Sequence, residues 1–125
     1  VTLGACSLAL LTPAATAAAS TPADTPASAP AGVSTREWSR VQQLAPALRA
    51  LRLCESGGRY TVNSGNGFYG AYQFSASTWH RVGMAGLPHR ARPVLQDIAA
   101  ARLHDRRGSW GDWGTCGAQA RRLRT

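Results

Sequence analysis

The chain has 125 residues, enough for one small domain, and carries 14 arginines, no lysine and six acidic residues for a net charge of +8. A surface this basic suits nucleic acid, an anionic membrane or an acidic cell-wall polymer. The arginines are scattered from Arg36 to Arg124 and form no dense stripe before Arg121, Arg122 and Arg124. With no recognition helix and no RNA-binding aromatic motif, nucleic acid is not an expected partner.

Residues 1–19 are uncharged, with an apolar run around Leu3–Leu11 and a small-residue end at Ala17-Ala18-Ala19. That pattern predicts a signal peptide cleaved before Ser20, too short and alanine-rich to serve as a membrane anchor. Leu3-Gly4-Ala5-Cys6 has the outline of a lipoprotein cleavage box, but the apolar run continues past Cys6 where such a box would end it. Residues 20–34 are almost wholly Pro, Ala, Ser and Thr, which predicts a flexible linker.

The folded domain is expected over 35–117, followed by a basic tail over 118–125. Arg36 to Leu44 presents Trp38, Val41 and Leu44 at helical spacing. Pro46 suits the first turn of a second helix, and Gly57-Gly58 supply its left-handed cap. Tyr60-Thr61-Val62 reads as a strand, Asn66-Gly67 as a turn, and Phe68 to Phe74 as the return strand. Ser75 then caps a helix carrying Trp79 and Val82. Residues 83–92 read as a loop, and Pro93 opens a helix with Val94, Leu95, Ile98 and Ala101 that ends at Arg106-Arg107-Gly108. Trp110, Trp113 and Cys116 close the domain. The expected fold class is α+β, with helices flanking a short antiparallel β-hairpin.

Export leaves Cys54 and Cys116 as a pair in an oxidising compartment. A disulfide closing a loop of about 60 residues contributes roughly 4 kcal/mol, which a domain this small needs. Two unpaired thiols are less in keeping with a secreted chain, and two cysteines so far apart make a poor zinc site. His80, His89 and His104 lack metal-like spacing, and neither metal nor cofactor is expected.

Glu55 is one of two glutamates, and it shares a helix face with Leu48 and Leu51 at i, i+3 and i+7. Burial and the negative end of the helix dipole both disfavour its charged form, so its pKa is expected to be raised. A carboxylic acid still protonated near neutral pH can donate a proton to a glycosidic oxygen. The alternative is an exposed glutamate paired with Arg52 or Arg59. Tyr60, Phe68, Tyr69, Tyr72 and Trp79 follow within 25 residues, interleaved with Asn63, Ser64, Asn66 and Gln73. Aromatic faces and amide donors suit a glycan groove. A packed core is the competing reading, and the better one for Phe74 and Trp79.

Cys54-Glu55-Ser56-Gly57-Gly58, Asn63 to Gly70 (NSGNGFYG), Gln73-Phe74, Thr78-Trp79 and Trp110-x-x-Trp113-x-x-Cys116 resemble the resuscitation-promoting factor domain, a lysozyme-like, transglycosylase-like module of actinobacteria. The likeness runs from about Arg49 to Cys116. It implies a lysozyme-like fold, a Cys54–Cys116 bridge, Glu55 as general acid, and a cleft that takes the β-1,4 bond between N-acetylmuramic acid and N-acetylglucosamine. Thr78 matches a position that faces substrate in that family, joining Asn63, Ser64, Asn66, Phe68, Tyr69, Tyr72 and Gln73 as candidate substrate-binding residues. The chain departs from the pattern at Ser75, at Gly108 and in a longer lead-in from Trp38 to Cys54.

The resemblance thus implies a secreted, cell-wall enzyme, with peptidoglycan glycan strands as partner and a peptidoglycan endopeptidase as a second candidate. A monomer without a membrane anchor after signal cleavage is expected. No Asp or Glu lies between Tyr60 and Gln96, and Asp112 is the one plausible second carboxylate. A single-glutamate acid/base mechanism is therefore expected, giving either a lytic transglycosylase or a muramidase. A non-catalytic wall-binding or signalling module is the rival class, and a cationic antimicrobial domain a third.

Overall fold

A computed structural model describes residues 28–123; the predicted signal peptide, residues 20–27 of the linker and residues 124–125 lie outside them. Five α-helices make up the described chain: α1 (Thr35–Gln43), α2 (Ala45–Ser56), α3 (Ala76–Arg81), α4 (Pro93–Arg107) and α5 (Gly114–Arg121). Short 3-10 turns at Pro88–Arg90 and Gly111–Trp113 precede α4 and α5.

Local chemistry sets the helix ends. Ser34 accepts the Glu37 N–H at 3.2 Å, the N-cap bond that starts α1, and donates its hydroxyl to the Glu37 carboxylate at 3.1 Å. Leu44 breaks the path between α1 and α2, and Pro46 sits in the first turn of α2. At the other end Gly57 turns left-handed (φ 67°), and the Gly58 N–H returns to the Arg52 carbonyl at 3.0 Å. Ser75 accepts the Thr78 N–H at 3.2 Å to start α3.

The centre of the domain is α4, which buries Gln96, Ile98, the Ala99-Ala100-Ala101 run and Leu103. A helix whose middle turns are buried on several faces must pass through the interior there, and the small alanines let its neighbours approach. α1 and α2 pack on it, with Leu48 and Leu51 fully buried, and α5 packs on α2. Trp79, Trp110, Trp113, Tyr72 and Phe74 fill the remaining interior. Phe74 meets Trp79 and Trp113 edge-on at centroid distances of 5.6 and 6.0 Å. α5 begins so close to Trp110 that a Cβ on Gly117 would collide with the Trp110 carbonyl. That helix runs on through Arg121 and buries Ala120. At the other end of the domain, Val33 packs against the core and Arg92 donates to the Ala31 carbonyl at 3.3 Å.

The expected α+β class is corrected: among the described residues there is no strand, and the antiparallel hairpin is absent. Pairing is confined to isolated antiparallel bridges at Asn63–Tyr69 and Tyr69–Phe74. Asn63 and Asn66 explain part of this, because their side-chain oxygens accept the N–H groups of Gly65 and Phe68 at 3.2 and 3.0 Å. Such local turns take backbone donors that a ladder would use. The segment read as a return strand also folds back on itself. Tyr69 and Phe74 exchange both backbone hydrogen bonds, at 2.9 and 3.0 Å, around a tight turn through Gly70 and Gln73.

Two adjacent residues of α4 hold this loop in place. Gln96, 1% exposed, accepts the Ala71 N–H at 2.9 Å and donates to the carbonyls of Tyr60 and Ala91, both at 3.0 Å. Asp97 accepts the hydroxyls of Tyr60 at 2.8 Å and Tyr72 at 2.6 Å, with the Arg52 guanidinium at 3.3 Å. Replacing Gln96 with Leu keeps the volume but leaves the Ala71 N–H and two carbonyls unpaired in the interior. Gln96→Leu is expected to lose roughly 3 kcal/mol of stability. Urea denaturation followed by circular dichroism checks this, and an unchanged midpoint contradicts it.

Candidate active site

Glu55 lies in the last turn of α2, between two fastened neighbours. Cys54 is disulfide-bonded to Cys116 of α5, with the Cα atoms 5.6 Å apart. Ser56, 7% exposed, donates its hydroxyl to the Ala71 carbonyl at 2.8 Å and accepts the Arg59 N–H at 3.1 Å. The end of α2 is therefore tied to α5 on one side and to the loop on the other.

Glu55 opens onto a cleft of about 360 Å3. The loop lines it with Asn66, Phe68, Gln73 and Phe74, and the start of α3 with Ser75 and Thr78. Leu103 of α4 and the Asp112-Trp113 turn complete the wall. Phe68 is 48% exposed, an apolar face open to a ligand. Gln73 holds a positive φ of 53° and donates its side-chain amide to the Gly70 carbonyl at 3.0 Å. A non-glycine residue in that region stores on the order of 1 kcal/mol of strain, a feature common at functional sites.

The sequence-predicted residues divide. Glu55, Asn66, Phe68, Gln73 and Thr78 come together in this cleft, whereas Asn63, Ser64, Tyr69 and Tyr72 do not line it. Tyr72 is fully buried, with burial pushing its hydroxyl pKa far up while it donates to Asp97. Tyr69 stacks on His89 with centroids 5.1 Å apart. Asn63 is used in its Asx turn, and Ser64 is exposed beside it. Phe74, Ser75, Leu103 and Trp113 line the cleft without having been singled out for it. Phe74 and Trp113 stood in the quoted motifs and Ser75 beside one of them, whereas Leu103 carried no signal.

Charge pairing sets Glu55 apart. Among the described residues, Glu37 pairs with Arg102 at 2.5 Å, Asp97 with Arg52 at 3.3 Å, Asp105 with Arg40 at 2.7 Å and Asp112 with Arg107 at 3.2 Å. Hydrogen bonds from Arg102 and Arg40 hold the Glu37 and Asp105 carboxyls below the usual range. Glu55 has no hydrogen bond or ion pair there. Arg52 is engaged by Tyr72 and Asp97, and Arg59 donates to the Ser56 carbonyl, so neither forms the surface pair that was the alternative reading. Burial without a counter-charge pushes the Glu55 carboxyl up. Among the described residues no group of three or more His, Cys, Asp or Glu gathers to hold a metal ion.

Comparison with known proteins places this geometry in a family. The transglycosylase-like domain matches residues 42–116. The chain is 48% identical over 63 residues to the resuscitation-promoting factor Rpf of Micrococcus luteus, covering 50% of this chain and 28% of that protein. It is 44% identical over 71 residues to RpfB of Mycolicibacterium smegmatis, covering 54% and 19%. With RpfC of Mycobacterium tuberculosis it shares 40% over 74 residues, covering 59% and 52%. The chain thus spans about half or less of the length of these curated relatives.

The raised Glu55 pKa has a consequence for stability. Its folded value lies above the unfolded one, so the protonated group favours the fold at low pH, and that advantage is lost as pH rises through the folded value. Glu55→Gln carries no charge to desolvate. It is expected to melt at a higher temperature than the unsubstituted protein at pH 7, with the gap narrowing as pH falls through the raised folded value and nearly closed by about 4.3, the ordinary glutamate value. Thermal melts across pH check this, and equal melting at pH 7 contradicts a buried, unpaired acid.

Proposed function

The chain belongs to the transglycosylase-like domain family, and on that premise we propose that it cleaves peptidoglycan at the β-1,4 bond between N-acetylmuramic acid and N-acetylglucosamine. The observation that carries the reading is Glu55: half-buried, without a counter-ion, its pKa raised by burial, at the wall of a cleft lined by aromatics and amides. Phe68 offers a face for a sugar ring, and Asn66, Gln73 and Thr78 offer hydrogen bonds to hydroxyl and N-acetyl groups. Asn63, Ser64, Tyr69 and Tyr72 act behind them, shaping the loop that carries them.

In this mechanism Glu55 passes its proton to the glycosidic oxygen as the bond from that oxygen to the anomeric carbon breaks. The sugar stabilises the cation that forms, and the Glu55 carboxylate then takes the proton of the attacking hydroxyl. Attack by the muramic acid C6 hydroxyl gives an anhydro-sugar, and attack by water gives a reducing end. Asp112 lines the same cleft but is held by Arg107, and the single-glutamate scheme gives it no chemical step. Wall remodelling or resuscitation of dormant cells is the role proposed, after the names of the relatives. A secreted or cell-wall location fits the disulfide, which persists in oxidising compartments. Among the described residues no helix is long and apolar enough to cross a membrane.

Glu55→Gln is expected to lower muropeptide release from purified cell wall by about 100-fold or more, and Asp112→Asn to leave most of it. Mass spectrometry of the soluble products reads both the rate and the nucleophile. Unchanged release from Glu55→Gln would refute the acid role, and absence of release from the unsubstituted protein would favour a wall-binding module. Equal loss from both variants would replace the single-glutamate scheme with a two-carboxylate one.

A further inference from the structure

The residues lining the cleft include two carboxylates and no cation, but one cation stands at its edge. Arg107 is the last residue of α4, just before Gly108 turns the chain toward the Asp112-Trp113 wall. Its Nε lies 3.2 Å from Asp112 Oδ2, and its side chain is 54% exposed. The other arginines paired with carboxylates use their terminal nitrogens within the protein. Arg40 closes on Asp105 through Nε and Nη2, Arg52 reaches Tyr72 and Asp97 through Nη1, and Arg102 engages Glu37 and the Val82 carbonyl. Arg107 alone in this set keeps both terminal nitrogens without a partner among the described residues.

A pair this exposed contributes little to stability. Its effect is on position, because the pair holds Nε toward the Asp112 wall of the cleft and leaves Nη1 and Nη2 without a partner among the described residues. Those two nitrogens match a carboxylate in two-point geometry. In a peptide-bearing strand the lactyl carboxyl of each muramic acid is consumed in the amide bond to its stem peptide, so the free carboxylates are those of the stem peptides. We propose that Arg107 is a specificity-determining residue that receives a stem-peptide carboxylate of the strand in the cleft. This rests on the peptidoglycan reading above and assigns Arg107 no part in bond cleavage.

The test measures binding by calorimetry, so that it does not depend on turnover. The probes are soluble glycan oligomers whose stem peptides carry free carboxylates, the same oligomers with those carboxylates amidated, and N-acetylglucosamine oligomers, which carry no carboxylate. The unsubstituted protein is expected to prefer free over amidated carboxylates by about tenfold, the scale of one exposed charge-assisted hydrogen bond. Arg107→Gln is expected to lose that preference while binding N-acetylglucosamine oligomers as before, and Arg107→Lys to keep part of it. Arg49→Gln removes the same charge from an exposed site on α2 and is expected to keep the preference. A preference that survives in Arg107→Gln, that is missing from the unsubstituted protein, or that falls equally in Arg49→Gln overturns the proposal. Failure of the enzymatic reading shows separately, as absence of cleavage products in protein that still binds the oligomers.

Discussion

The cleft depends on one turn of α4. The loop between α2 and α3 has no ladder to hold it, so its backbone must find partners elsewhere. Gln96 and Asp97 supply them, fixing Tyr60, Ala71, Tyr72 and Ala91 from two consecutive positions of a buried helix. A buried amide or carboxylate is tolerated only when its bonds are made, and here they are: Gln96 makes three and Asp97 accepts two hydroxyls beside a guanidinium. The close fit extends to Gly70, where a Cβ would collide with the Gln96 side chain. The wall that carries Asn66, Phe68 and Gln73 is as rigid as that junction.

Glu55 is placed by a second constraint. Consecutive residues of an α-helix point about 100° apart, so fastening the residues on either side of a position fixes the direction of the one between. Cys54 goes to α5 and Ser56 to the Ala71 carbonyl, which leaves Glu55 aimed at the cleft. Ala71 is also the residue whose N–H Gln96 holds, so α2 and the loop meet at one peptide segment. The disulfide therefore does more than restrict the unfolded chain. It orients the helix turn on which the proposed acid sits.

Most of the helices were legible because their signals are local. Pro46, Gly57, Ser75, Pro93 and Gly108 each mark an end by chemistry that needs no distant partner, whereas the Ser34 cap was read as linker and the second half of α5 as a basic tail. The hairpin was misread for the opposite reason. Asn66-Gly67 between aromatic runs satisfies every short-range rule for a β-turn, yet the asparagine side chains and α4 take the donors a ladder would need. The same misreading blurred the groove. In a strand, Phe68 and Tyr72 would share a face; in the tight turn that forms instead, Phe68 is 48% exposed and Tyr72 is fully buried. Leu103 and Trp113 reach the cleft only through tertiary packing, so composition near Glu55 could not reveal them.

Charge explains how one small domain meets two opposed demands. On the proposed function, attraction to an acidic wall polymer calls for a basic chain, and the net charge of +8 meets that need. A general acid calls for the reverse, because a cation near Glu55 would favour the carboxylate and lower its pKa. The chain separates the two in space. Four of the five described carboxylates are paired with cations, while Glu55 is left alone in a cleft whose lining carries no cation. The cation at that cleft's edge, Arg107, is already turned toward Asp112. The cleft lining thus holds no positive charge, and burial, unopposed by any guanidinium, raises the pKa of the single unpaired acid.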